Sequence, residues 1–167
     1  MIRAGLAVAG LAVALVALPA VAGARETLGV FDRWGAFSDP APRRCFAIAE
    51  PVRAGGASRW RPFASVASWP GKARIRNQLH IRLSRARNPQ ARVTLSIGDR
   101  RFDLTATAAD AWAPDTRTDA AIVSAIRSSR SMSVETLGQA GGPFADVYAL
   151  KGAATAIDAA AVACLGG

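Results

Sequence analysis

From Ala73 to Ser84 the chain alternates with a period of two. Ile75, Leu79, Ile81 and Leu83 fall on one side, and Arg74, Arg76, Gln78, His80 and Arg82 on the other. A helix would scatter these residues around its circumference, whereas a strand sorts them into a dry face and a wet one. After Asn88-Pro89 the pattern resumes with Val93, Leu95 and Ile97 against Arg92, Thr94 and Ser96. Gly98-Asp99 is a two-residue hairpin turn, and Phe102 and Leu104 continue the apolar face. Residues 73–105 are therefore expected to form a three-stranded antiparallel meander, with these nine apolar residues as core.

Other segments carry the same kind of signal. Gly35–Phe37 and Arg43–Glu50 flank Ser38-Asp39-Pro40-Ala41-Pro42, which predicts an N-terminal hairpin. Residues 51–60 read as a loop. Strands are expected at Met132–Thr136 and Phe144–Leu150, on either side of a Gly-rich loop. Helix is scarce. Thr118 is a candidate N-cap, with Asp119 in the first turn and Ile122, Val123 and Ile126 as an apolar stripe. A second short helix spans Ala153 to Ala163. The fold class that follows is mainly β: an antiparallel β-sandwich or open barrel with two short helices.

Residues 1–24 read as a secretory signal peptide. Arg3 supplies the positive start, Ala4 to Leu18 is an apolar run, and Ala22-Gly23-Ala24 is a cleavage site. The run of about 15 residues is short of the roughly 20 needed to span a bilayer. Residues 25–167 are then a single β-rich domain, expected in the periplasm, at the outer membrane or secreted. Cys45 and Cys164 are the only thiols of this exported chain, which predicts a disulfide between them.

Charge is distributed unevenly. Residues 25–52 carry four Arg and four acidic residues; residues 53–101 carry twelve Arg or Lys and one acid; residues 102–167 carry four basic and seven acidic residues. The middle third therefore supplies the whole +8 of the mature chain. Such a field attracts anions, with lipopolysaccharide phosphates or an acidic protein partner ahead of nucleic acid. Arg74, Arg76, His80 and Arg82 share the polar face of one strand and are the candidate anion-binding residues. The same cations also suit a solvated face, or an edge strand protected from aggregation.

Catalytic chemistry has little to build on. His80 is the only histidine; it lies among arginines with no carboxylate near it in sequence, and reads as a surface residue. One His and two distant Cys do not make a zinc site, and no cofactor is expected. Gly138–Pro143 lacks the Lys-Ser/Thr ending of a phosphate-binding loop. Asp99, Asp103, Asp110, Asp115 and Asp119 could in principle supply a hydrolytic carboxylate pair, which keeps a periplasmic hydrolase as the alternative. Their positions suit turns and a helix start. Trp60, Phe63 and Trp69 interleave with Arg59, Arg61, Lys72, Arg74 and Arg76, as stacking-plus-charge binding would require, although core roles fit Phe63 and Trp69.

The order of motifs resembles a known family. Trp34-Gly-Ala-Phe37 leads through a Pro turn to Cys45, and Ser96-Ile-Gly-Asp-Arg-Arg-Phe-Asp-Leu104 precedes Ala111-Trp112. Asp119-Ala-Ala-Ile-Val-Ser-Ala-Ile126 is followed by a strand, and Asp146-Val-Tyr-Ala-Leu-Lys-Gly152 runs into an Ala-rich helix ending at Cys164. This resembles the invasion-associated locus B family of small exported Gram-negative proteins. The resemblance implies a periplasmic or outer-membrane-associated protein, linked in some relatives to host-cell entry, and supplies no catalytic residues; with the residues above, the expectation is a non-enzymatic envelope protein. The Arg-rich middle and Ala153 after Gly152 depart from the family pattern.

Overall fold

The computed structural model describes residues 23–71 and 75–165. Nearly all of the segment read as a signal peptide, and Arg74, lie outside the described residues.

Ten strands form one antiparallel sheet. In chain order they are β1 (Glu26–Phe31), β2 (Trp34–Pro40), β3 (Arg43–Ala49), β4 (Phe63–Trp69), β5 (Ile75–Arg82), β6 (Val93–Ile97), β7 (Arg100–Ala106), β8 (Asp110–Trp112), β9 (Ser131–Leu137) and β10 (Pro143–Ala149). Their order across the sheet is β1-β2-β3-β4-β5-β8-β7-β6-β9-β10. Helix α1 (Thr116–Ser128) lies on β5–β7, and α2 (Ala153–Leu165) on β1–β4. The open sheet curls, so that the Trp34 indole N–H on β2 donates to the Ala149 carbonyl on β10 at 2.9 Å. The architecture is mainly β with two helices, as the alternation implies.

One apolar cluster fills the concave side. Leu79, Ile81, Leu83, Val93, Leu95 and Ile97 are all buried in it, and Ile122, Ile126 and Ile157 close it from the helices. Each inward side chain removed from water contributes roughly 1.5–3 kcal/mol, so period-two patterning alone goes far to fix which face turns inward. The expected hairpin of β2 and β3 is present. So are the β6–β7 hairpin at Gly98-Asp99 and the β9–β10 pair.

Three features depart from expectation. Residues 73–105 do not form a meander: β5 pairs with β4 and β8, and β6 with β7 and β9, so β8 and β7 stand between β5 and β6. The reason is the chain after β7, which doubles back as the three-residue β8 and occupies the edge of β5. Second, the N-cap of α1 is Asp115, whose carboxylate accepts from the Thr118 N–H at 2.7 Å; Thr118 lies inside the helix. Third, Ile75 is 36% exposed. Asn77 adopts a left-handed φ of 53° and donates its N–H to Ser68 Oγ at 3.0 Å. This bulge sets Arg76 and Asn77 opposite Ser68 alone, between the Ala67–Gln78 and Trp69–Ile75 pairs. The alternation slips by one residue there, and Ile75 joins Trp69 on the outer face.

Gly152 makes the turn from β10 into α2. Its φ is 84°, and a Cβ there would overlap the Phe31 carbonyl, so only glycine brings the helix this close to β1.

Candidate functional site

On the outer face of β4, β5 and β8, three aromatic rings meet side by side. Register places Ser65 opposite His80 and His80 opposite Trp112, with Phe63 opposite Arg82 and Arg82 opposite Asp110. The His80 ring stacks on the Trp112 ring at 5.0 Å with planes 7° apart, and the Phe63 ring meets it at right angles, also at 5.0 Å. His80 Nε2 lies 2.8 Å from Asp110 Oδ1, and Arg82 Nε lies 3.4 Å from that same oxygen. His80 is therefore half-buried and tethered rather than free. Sequence reasoning missed the partner because Asp110 is 30 residues away and β8 is too short to show a period.

The four candidate anion-binding residues do not form one stripe among the described residues. His80 and Arg82 share the outer face. The slip at Asn77 turns Arg76 away from them, to a cleft it lines with Ala161, Cys164 and Leu165 of α2. Arg74 lies outside the described residues. Trp60, Phe63 and Trp69 are all half-buried. The Trp60 indole donates to the Leu83 carbonyl at 2.7 Å, which fixes its ring.

The five candidate aspartates go to separate tasks. Asp110 holds His80, Asp115 caps α1, and Asp103 lies loosely by Arg92 at 3.8 Å. Asp99 occupies the β6–β7 turn. Asp119 is buried and accepts the Leu79 N–H at 2.8 Å, which ties α1 to β5. Burial pushes its carboxyl above the usual range and nearby Asp115 adds to this, against the Leu79 hydrogen bond. Elsewhere, hydrogen bonds from Arg25 and Arg44 hold Asp39 below the carboxylate range, and Arg127 does the same for Asp158. Burial, with Asp146 beside it, pushes the Tyr148 hydroxyl upward.

Cys45 on β3 and Cys164 near the end of α2 are joined, with Cα atoms 5.8 Å apart. The bond pins α2 to the strand on which it packs. No helix among the described residues is long and apolar enough to cross a membrane.

The fold has a solved counterpart. The crystal structure of invasion associated protein B from Bartonella henselae superposes with a TM-score of 0.58 at 10% identity, covering 83% of this chain and 97% of that one. This chain shares its fold. No family model matches the chain, and no curated protein does.

Proposed function

We propose that the protein is a non-enzymatic envelope protein of the invasion-associated locus B type, exported and disulfide-bonded, which binds an anionic envelope component through its basic middle segment. One observation carries this reading. Arg53, Arg59, Arg76, Arg85, Arg100 and Arg101 have no carboxylate within ion-pair distance among the described residues. The positive field of residues 53–101 is thus left largely uncompensated among the described residues, as binding to an anionic partner would require. Arg76, Arg82 and His80 contribute from two sides of β5, and Arg74 belongs to the same segment. Shared fold with an invasion-associated protein and the single disulfide support the extracytoplasmic setting. The dispersal of the five aspartates speaks against the hydrolase alternative: none of them lines the clefts of about 420, 530 and 680 Å³.

Lipopolysaccharide supplies the phosphates such a surface would meet. Isothermal titration of the exported protein with intact and with dephosphorylated lipopolysaccharide tests the reading. Saturable binding to the intact form, lost on dephosphorylation and unaccompanied by turnover, is the expected result. Equal binding to both forms, or to neither, overturns it.

A further inference from the structure

Arg85 stands apart from the other unpaired arginines. It lines a cleft of about 420 Å³ where the loop following β3 meets the β9–β10 hairpin loop, together with Arg59, Trp60, Ser84 and Gly138. Its guanidinium carbon lies 4.6 Å from the centroid of the Phe144 ring. Two glycines make room for the side chain. A Cβ on Gly56 would come within 3.0 Å of Arg85 Cδ, and one on Gly138 within 3.4 Å of Nη2. The arginine therefore lies in a cradle of bare backbone and one aromatic face.

What this cradle presents is unpaired hydrogen-bonding capacity. Arg85 Nε and Ser84 Oγ are both buried and have no hydrogen-bond partner within the protein, and Ser84 is only 1% exposed. Asp146, fully buried, accepts the Gly55 N–H on one oxygen at 2.7 Å and the Ser84 N–H on the other at 2.8 Å. Neither oxygen comes within ion-pair distance of Arg85. A half-buried cation with unused donors is costly unless something completes it, and a guanidinium fork matches the oxygens of a phosphate or carboxylate.

We propose that this cleft binds a sugar-sized group bearing an oxyanion, with Arg85 as its main donor. Ser84 also lines the cleft, Arg59 adds charge, and the fixed Trp60 indole forms a wall against which a sugar ring can stack. The volume falls within the roughly 300–1,000 Å³ of small-molecule sites. This inference rests on the anion-binding reading above and narrows it to one place.

The test is calorimetry of the exported protein with glucose 1-phosphate, glucuronate, inorganic phosphate and glucose at about 50 mM salt, where screening is modest. Glucose 1-phosphate or glucuronate should bind, and the stronger of the two identifies the oxyanion. Inorganic phosphate should bind more weakly, and glucose not at all. Arg85→Lys keeps the charge but loses the fork, and should weaken binding about tenfold. Arg117→Lys, the same exchange on α1, should leave it unchanged. A second readout needs no variant: the Arg85 Nε–H resonance of the parent protein should shift on titration with glucose 1-phosphate or glucuronate, whichever binds more strongly. An unmoved resonance, or Arg85→Lys binding as tightly as the parent, overturns the proposal. If lipopolysaccharide still binds in that case, the cleft alone is refuted; if it does not, the broader reading falls as well.

Discussion

His80 Nε2 and Asp110 Oδ1 lie 2.8 Å apart across β5 and β8, and Arg82 Nε reaches the same carboxylate oxygen at 3.4 Å. One acid thus restrains two members of what reads in sequence as a cationic face. Asp110→Asn removes that restraint. The Arg82 guanidinium is then free to face an external anion, so affinity for polyphosphate should rise by up to about fivefold, the equivalent of a surface ion pair of ~1 kcal/mol. Titration of both proteins at matched salt checks this. An unchanged affinity would remove Arg82 from the binding surface.

Cys45 and Cys164 close a loop with a sequence separation of 119 residues. In the chain-entropy account, a loop of that order takes about 4–5 kcal/mol from the stability of the unfolded ensemble's competitor, the native state, when the bond is cut. The double Cys→Ala variant should therefore unfold at much lower denaturant than the oxidised parent. Thiol counting on protein taken from the exporting cell checks the bond itself.

Ile81 and Leu95 are fully buried, and Ile75 is 36% exposed. Replacing either of the first two by Ala should cost about 2–5 kcal/mol. Ile75→Ala should cost far less, because the slip at Asn77 has already moved it to the outer face. Chemical denaturation of the three variants gives the comparison, and equal losses would contradict the register described above.

The sequence made the strands of continuous alternation legible, because burying one face of β5, β6 or β9 requires period two. It did not reveal β8, whose three residues are too few for any period, nor β4, where buried residues occur on both faces. Ile75 was misplaced for a local reason: nothing in the residue pattern announces a left-handed Asn77. Asp110 and Asp119 were legible as polar residues near a turn and a helix start, but their partners His80 and Leu79 come from another strand. Such pairs depend on which strands become neighbours, and here β8 and β7 came between two strands that follow each other in the chain.

Asp119 supplies a prediction with a definite sign. Its folded-state carboxyl titrates above the usual range, chiefly because it is buried. Between the unfolded value near 3.9 and the raised folded value, the native state holds a proton that the unfolded state has released. The group's contribution to stability therefore falls as pH rises through that window. Asn at this position keeps an oxygen for the Leu79 N–H and has no such dependence. Asp119→Asn should gain on the parent from about pH 4 upward and at least equal it at neutral pH. Asp119→Ala should lose about 1–3 kcal/mol by orphaning the Leu79 N–H. Denaturant midpoints across the pH range would reveal the opposite slope if the carboxylate were stabilising.

An uncompensated basic segment that binds anions must show itself in the salt dependence of lipopolysaccharide binding. Each phosphate neutralised by Arg or Lys releases counter-ions or competes with them, so affinity should fall steeply between about 50 and 200 mM salt. The log–log slope should become shallower when Arg53, Arg59 and Arg85 are replaced together by Gln. A slope near zero in the parent, or one that the triple variant leaves untouched, would mean that these arginines do not hold the anion.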